Sequence, residues 1–338
     1  MHKNILITGG LGFIGSNFIE LLRSKTKANI INVDKLTHKF FLINAKKLNK
    51  IKDYHYYNID INNKNQLDKI YSIHKIDLVF NFAAESHVDN SILNPLKFVK
   101  SNITGTVNLL EISYKHWKKN TELDNNLFIQ ISTDEVYGSI PLKSKRKFKE
   151  TDKLNPNSPY SSTKAAAELI VKSFNQTYGL RTIITNSSNN YGPGQHPEKL
   201  IPKSITNLIN NKNITLYGNG KNIRDWIYVK DNAYAIYMIY RKGLSNNNYL
   251  IGGNNCMSNN EIADIIINKY NKIFNKIKKK QEVKEYITDR LGHDLKYDLS
   301  TFKIEKLGII IDKKNFNSNI TTTIKWYNEN KKAIKKYM

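Results

Sequence analysis

Cysteine is almost absent from this 338-residue chain, and its single thiol, Cys256, excludes an internal disulfide framework and any cysteine-based zinc site. No metal ligand set is expected. Long apolar runs are missing too, since no stretch approaches the roughly 18–20 uninterrupted apolar residues that a membrane span needs. The chain enters an apolar pattern at Asn4-Ile5-Leu6-Ile7-Thr8 without an h-region or small-residue cleavage site, so a secretory signal is not expected and a cytoplasmic location is. With 40% hydrophobic residues, 24% charged, 16 Gly and 7 Pro, the composition is globular. The length suits one large domain or two smaller ones.

Acidic residues are also in short supply: 29 Asp and Glu face 53 Lys and Arg, a formal charge of +24. Such a balance can signal a polyanion partner. Here Lys, Asn and Ile are in excess everywhere, as compositional drift produces. The basic clusters Lys143 to Lys149, Lys276 to Lys280 and Lys331 to Lys336 lack the regularly interleaved aromatics of a base-stacking surface. Neither nucleic acid nor a membrane is expected as a partner.

Short apolar strands alternate with amphipathic stretches through the first half, the pattern of βαβ units and a parallel sheet. Strands are predicted at Asn4–Thr8, Asn29–Asp34, His55–Asn58, Asp77–Phe82, Leu127–Ser132 and Arg181–Asn186. Helices are predicted at Phe13–Lys25, Leu96–Lys118 and Ser161–Tyr178. After Asn186 the texture changes. The run from Asn189 to Pro197 is turn-rich and too long for a simple connection, which marks it as site-lining. Beyond it, helices at Leu200–Asn210, Asn232–Arg241, Asn260–Phe274 and Ile320–Lys336 mix with short strands near Ile214–Tyr217, Asp225–Tyr228 and Asn248–Ile251. The expected fold class is α/β, a Rossmann-type doubly wound parallel sheet with a smaller mixed α/β substrate domain. The larger part is assigned to 1–186 plus 226–256 and the smaller to 187–225 plus 257–338.

Directly after the first strand comes Thr8-Gly9-Gly10-Leu11-Gly12-Phe13-Ile14-Gly15. Gly10, Gly12 and Gly15 fit G-x-G-x-x-G, and Gly9, Gly12 and Gly15 fit the related G-x-x-G-x-x-G spacing. Glycines there allow a tight turn and let backbone N–H groups approach a pyrophosphate at a helix N-terminus. Alone the pattern is weak. A strand before it, a helix after it and Asp34 at the end of the next strand strengthen it. An acid at that position accepts hydrogen bonds from ribose hydroxyls and repels a 2′-phosphate, favouring NAD over NADP. Asp60-Ile61 follows the third strand, where a carboxylate can meet the adenine amine, and Ala83-Ala84-Glu85-Ser86 ends the fourth, where small residues let a cofactor pass.

Tyr160 and Lys164 form Y-x-x-x-K on one helix face. A free tyrosine, with a pKa of about 10, is a poor base, and a neighbouring ammonium and a positively charged nicotinamide are both expected to lower that pKa. The segment Ser132-Thr133-Asp134-Glu135-Val136-Tyr137-Gly138 then carries more chemistry than alcohol oxidation needs. Thr133 and Tyr160 suffice to oxidise an alcohol. Adjacent carboxylates in different environments can divide into acid and base: once a sugar C4 hydroxyl becomes a ketone, the C5 proton is acidified and a C6 hydroxyl can be eliminated.

Together these features resemble the extended short-chain dehydrogenases/reductases, and within them the nucleotide-sugar 4,6-dehydratases, most closely those acting on dTDP-glucose. The resemblance runs from Asn4 to about Asp298 through TGGLGFIGSN, FAAESHVDNSI, STDEVYG, YSSTKAAAE, SNNYGPGQHPEKLIP, YGNGKNIRDWIYV and DRLGHDLKYD. It implies an NAD-dependent hydro-lyase that is usually a homodimer and serves deoxysugar biosynthesis, of which rhamnose is an example. It implies that Asp134 is the general acid, Glu135 the base at C5, Tyr160 the base at O4 and Thr133 a polariser of O4. It places Phe13, Ile14, Asp34, Lys35, Leu36, Thr37, Asp60 and Ile61 against NAD, with Ala83, Ala84, Glu85, Ser86, Ser101, Tyr160, Lys164 and Asn190. It assigns Ser86, Thr133, Asn189, Lys199, Leu200, Thr215, Leu216 and Tyr217 to the sugar nucleotide, with Arg224, Asn259, Asp289, Arg290, Leu291, Gly292 and His293. Arginines at 224 and 290 suit a diphosphate through charge-assisted forks, and Tyr217 can pack on a pyrimidine.

The chain departs from that family at His38-Lys39-Phe40-Phe41, where Tyr-Ala-Gly-Asn is usual, which alters the outer rim of the adenosine pocket. Asn90, Ser101, Asn232 and Leu291 also replace the common Arg, Thr, His and Pro. Two alternatives stay open at this level: a UDP-glucose 4,6-dehydratase, and a non-catalytic NAD-binding regulator with a basic nucleic-acid surface.

Overall fold

A computed structural model describes residues 2–120 and 123–337. The twelve strands, in chain order, are β1 Asn4–Thr8, β2 Asn29–Val33, β3 Tyr54–Tyr57, β4 Leu78–Asn81, β5 Leu127–Thr133, β6 Thr182–Ser187, β7 Asn189–Tyr191, β8 Ile214–Tyr217, β9 Ile223–Tyr228, β10 Asn247–Ile251, β11 Cys256–Ser258 and β12 Lys284–Ile287. Seven of them form one sheet in the order β10-β6-β5-β4-β1-β2-β3, and every pairing in it is parallel. This is the doubly wound α/β arrangement that the alternation of strands and helices predicts.

Parallel strands covered on both faces must be apolar on both sides. The period-2 geometry sends chain neighbours to opposite cores. Ile5, Ile7, Leu78, Phe80, Leu127 and Ile129 join one cluster with Phe18, Ile19 and Leu22 of the helix Phe13–Lys25. Leu6, Val79 and Phe128 join the other, with Leu67 and Ile70 of helix Lys64–His74, Leu109 and Leu110 of helix Gly105–Lys119, and Val171 of helix Pro159–Tyr178. A buried polar ladder crosses the sheet near its carboxyl edge. The Thr8 hydroxyl donates to Asn81 Oδ1 at 2.6 Å, and Asn81 Nδ2 donates to Gln130 Oε1 at 2.8 Å.

The order in which strands are added reverses between β1 and β4, so a crevice opens beyond the carboxyl ends of these strands. Two small sheets, β11-β9-β7 and β12-β8, stand over it. Helices Leu200–Ile209, Asn259–Phe274 and Phe316–Glu329 pack on them around Ile205, Ile266, Ile320 and Trp226. The division at 225/226 that the sequence suggests passes through β9, which pairs as one unit in the small sheet. Ile304 and Ile309, placed in the smaller part, pack instead with the core of the large sheet.

Several predicted elements shift. The helix expected over Leu96–Lys118 is broken into Pro95–Phe98, a π-helical turn Val99–Thr104 and Gly105–Lys119. Its cause is tertiary: buried Asn102 accepts from Glu85 N at 2.8 Å and donates to Glu85 O at 3.0 Å and Thr163 Oγ1 at 2.9 Å. Such π turns often mark functional sites. The last helix is two, Phe316–Glu329 and Lys331–Tyr337, divided at Asn330. No helix among the described residues is long and apolar enough to cross a membrane.

The 3₁₀ turn Asp134–Tyr137 ends at Gly138, whose φ of 78° and whose approach to Asn155 O leave a side chain no room: a Cβ there would lie 2.2 Å from that carbonyl. Gly138→Ala is therefore expected to destabilise the protein by about 2–3 kcal/mol, combining a left-handed conformation with an overpacked contact. Urea unfolding of the variant beside the parent measures this.

Candidate active site

The crevice holds two adjoining cavities of about 330 and 510 Å³. The first follows the sheet edge. Gly9 takes φ 68° after β1, and a Cβ on it would meet Ala83 N at 2.6 Å, so two backbones touch at the switch point. A Cβ on Gly15 would meet Gly9 O at 2.5 Å. Gly12 caps the helix Phe13–Lys25 without any side-chain hydrogen bond, leaving first-turn N–H groups for an external anion. The cradle therefore fits a pyrophosphate.

Asp34 follows β2, where its carboxylate accepts from Leu11 N at 3.0 Å and Leu36 N at 2.8 Å. Burial pushes its pKa up against those bonds. Asp60 takes Asn62 N at 2.9 Å and Lys35 Nζ at 3.2 Å. Burial raises its pKa, but Asn62 and Lys35 together hold it below the usual value. Both line the first cavity with Gly9, Gly12, Phe13, Ile14, Gly15, Lys35, Thr37 and Ile61. Ala83, Ala84, Glu85, Ser86, Ser101 and Asn190 close the rest of the wall. Leu36 does not line it; its side chain packs on the core. The altered rim is present in the lining as His38 and Phe41, and both rings pack on His196, at centroid distances of 5.1 and 6.0 Å.

Thr133 closes β5 and caps the turn after it by accepting from Glu135 N at 3.3 Å, while its carbonyl accepts from Asn186 Nδ2 at 3.1 Å. Asp134 is 2% exposed. Its Oδ1 accepts from the Thr133 hydroxyl at 3.2 Å, and its Oδ2 is buried without a partner. Burial, then Glu135 and Asp225, push its pKa well above the usual aspartate value, which favours its protonated form. Glu135 lies where the cavities meet. Burial raises its pKa too, but Lys199, Arg224 and Arg290 pull the other way. The protonated form is thus favoured in one acid, while its neighbour faces cations.

Tyr160 rides on helix Pro159–Tyr178, which starts with a capping box between Ser158 and Ser161, with Pro159 at the first turn, and stops at Gly179 in the left-handed conformation. Its phenol pKa is pushed up, first by burial and then by Glu135 and Asp134, although the Thr133 hydroxyl opposes this. The groups that act on it do not include the Lys164 ammonium. The Lys164 ammonium donates to Ile131 O at 2.7 Å, and burial lowers its own pKa to about 8. All five predicted catalytic residues line the first cavity.

The second cavity is lined by Asn189, Lys199, Leu200, Thr215, Tyr217, Arg224, Asn259, Arg290, Gly292 and His293. Lys199 Nζ donates to Ser86 O at 2.8 Å, and Arg224 Nη2 donates to Asp294 O at 2.8 Å. Three predicted substrate residues stand off. Leu216 is fully buried in the smaller core, Leu291 is 77% exposed, and Asp289 acts behind the wall by holding His293 Nδ1 at 2.6 Å. Residues that sequence reasoning missed include Glu198, which sits 3.5 Å from His196 and 3.8 Å from His87, and Tyr297, under the Arg224 guanidinium at 4.4 Å. Each stands inside a quoted motif, but motif membership does not reveal which side chains face inward. Among the described residues no group of three His, Cys, Asp or Glu is placed to hold a metal ion.

A Rossmann-type sheet, a glycine cradle and a Thr-Tyr-Lys set with adjoining acids define the extended short-chain dehydrogenase/reductase class. The family described as GDP-mannose 4,6 dehydratase matches residues 6–327, and the chain belongs to this family. It is 39% identical to a dTDP-glucose 4,6-dehydratase of Escherichia coli over 347 residues, covering 99% of this chain and 96% of the relative. Among solved structures it is similar to a dTDP-glucose 4,6-dehydratase from Streptomyces venezuelae with NAD bound, at 34% identity and a TM-score of 0.88, covering 98% of each chain. It is also similar to one from Bacillus anthracis in complex with NAD, at 38% identity and a TM-score of 0.85, covering 99% of this chain and 100% of that one.

A buried acid with a raised pKa favours the folded state below its unfolded pKa near 4, and this benefit is lost as pH rises through the folded value. Asp134→Asn removes that loss. The variant is expected to be about 1 kcal/mol more stable than the parent at pH 7–8, in line with gains seen on neutralising active-site strain. The difference should shrink below pH 4, which melting temperatures across pH report.

Proposed function

We propose that the protein is a dTDP-glucose 4,6-dehydratase, a hydro-lyase that converts dTDP-glucose to dTDP-4-keto-6-deoxyglucose and water. The observation that carries this reading is the unequal pair Asp134 and Glu135, set beside Thr133 and Tyr160 at the junction of the two cavities. The names of the similar proteins support the nucleotide, and their bound NAD supports the cofactor. NAD would lie along the glycine cradle, Asp34 and Asp60, and when bound it supplies the hydride acceptor at C4 and the donor at C6.

The chain's own residues divide the proton work. Thr133 holds O4 of the glucosyl ring while Tyr160 takes its proton. Tyr160 needs help to ionise, because burial and two carboxyl groups oppose its anion; a cationic cofactor ring supplies the favourable charge. With a ketone at C4, Glu135 removes the C5 proton. Asp134, whose protonated form burial favours, protonates the departing C6 hydroxyl, which leaves as water. Glu135 then returns a proton to C5 as C6 is reduced. Electrons lost at C4 are regained at C6, so the reaction needs no added reductant.

We also propose a homodimer in the cytoplasm. Leu96 and Leu169, 76% and 58% exposed on the helical face that includes Pro95–Phe98 and Pro159–Tyr178, support self-association there. Light scattering of the purified protein checks the dimer.

Purified protein given dTDP-glucose without reductant should accumulate the alkali-absorbing 4-keto product; absence of product overturns the reading. Glu135→Gln is expected to lower kcat by about 10²–10⁴-fold, the usual worth of a general base, while nicotinamide absorbance still shows the first oxidation. Tyr160→Phe should abolish that absorbance change as well. UDP-glucose lacks the thymine methyl group, worth about 10- to 200-fold in a fitted pocket, and carries a ribose 2′-hydroxyl that dTDP-glucose does not have. The ratio of kcat/KM for the two nucleotides measures that preference.

A further inference from the structure

Asp89 belongs to none of the chemistry above, yet it makes the most complete ion-pair geometry at the second cavity. It lies in the first turn of the short helix Val88–Leu93, which follows β4 of the large sheet. Its Oδ1 accepts from Arg290 Nε at 2.5 Å, and its Oδ2 accepts from Arg290 Nη2 at 3.1 Å and the Tyr217 hydroxyl at 3.0 Å. Arg290 and Tyr217 come from the other side of the cavity. Tyr217 ends β8, and Arg290 follows β12, 201 residues from Asp89. The guanidinium carbon also stands 5.0 Å over the Tyr217 ring, whose edge meets His293 at 6.1 Å.

We propose that Asp89 is a positioning residue for the nucleoside diphosphate, holding the Arg290 fork and the Tyr217 ring in their binding orientation across the two halves of the molecule. The inference rests on the sugar-nucleotide reading of this cavity. A guanidinium carries five N–H donors in a rigid plane. Asp89 engages one on Nε and one on Nη2, which fixes that plane and leaves the other three for a ligand. Without Asp89, the Arg290 side chain and the tyrosine ring must be ordered by the ligand itself, and that ordering is subtracted from affinity. The pair is only partly shielded, with side-chain exposures of 30% for Asp89 and 21% for Arg290, so its worth lies in geometry more than in bare charge.

A simpler electrostatic role predicts the opposite sign. An anion beside a diphosphate site repels the ligand, so deleting it must tighten binding. Positioning predicts weaker binding despite the added positive charge. The experiment titrates dTDP into the NAD-loaded enzyme by calorimetry and measures dTDP-glucose turnover for the parent, Asp89→Asn and Asp89→Glu. Expected for Asp89→Asn are a Kd for dTDP and a KM for dTDP-glucose both raised about tenfold, kcat within about twofold, and unchanged NAD retention and melting temperature. Asp89→Glu should recover part of the loss, since it keeps a carboxylate. In an Arg290→Lys, Tyr217→Phe background, where neither the fork nor the tyrosine hydroxyl is left to hold, Asp89→Asn should cost less than twofold. Unchanged or tighter dTDP binding by Asp89→Asn overturns the inference, as does an equal loss in that double-variant background. So does a loss of NAD and melting temperature in both Asp89 variants. The dehydratase reading is judged separately, by turnover of the parent: a parent that binds dTDP without converting dTDP-glucose refutes that reading and leaves the Asp89 comparison intact. A parent that binds no dTDP refutes both.

Discussion

Two carboxyl groups, adjacent in the chain, meet different surroundings at the end of β5, and the remainder of the molecule serves to keep them different. Asp134 turns inward, where one oxygen finds no partner and nearby acids oppose its ionisation. Glu135 turns toward Lys199, Arg224 and Arg290. A shift of the turn by one residue would exchange these environments and with them the roles of acid and base. That is why the turn is so closely held: Thr133 caps it, Asn186 fixes the Thr133 carbonyl, and Gly138 ends it against Asn155.

The same economy appears in the large sheet. Its carboxyl edge must present a cofactor cradle and a catalytic turn at a fixed separation. The ladder from Thr8 through Asn81 to Gln130 ties the three central strands together by side-chain hydrogen bonds within the core, where such bonds are costly to leave unmade. Gly9 beyond β1 and Ala83 beyond β4 then meet backbone to backbone. Rigidity at this edge preorganises the site, and variability is left to the smaller sheets above it, which determine what is held there.

Elements governed by local pattern were legible in the sequence. The bounds of β1 and of helix Phe13–Lys25 are those predicted, because apolar alternation and the glycine turn both act within a few residues. The acid pair, Tyr160 and the glycine cradle were also legible, since each carries its chemistry in its own spacing. What failed depended on distant partners. The π turn at Val99–Thr104 arises because Asn102 reaches back to Glu85 and across to Thr163. The spacing of Tyr160 and Lys164 likewise does not show that the fold offers the Lys164 ammonium the Ile131 carbonyl. Leu216 and Leu291 flank true cavity residues, yet strand alternation buries one and the surface exposes the other.

The excess of lysine makes the placement of acids informative. Drift toward lysine and asparagine acts easily at solvated positions, but burying a carboxylate is costly unless donors surround it. The buried acids Asp225, Asp294 and Asp298 have such donors. Asp225 takes the Gly253 and Asn255 amides, Asp294 takes Asn157 and Tyr297, and Asp298 faces Lys147 and Lys296. Glu168 has one unpaired oxygen, but its other accepts from both Ser132 and Asn186. Asp134 has only the Thr133 hydroxyl at 3.2 Å. A structural acid is buried together with its partners; Asp134, buried nearly bare beside a cavity, fits instead the proton-donor role proposed for it.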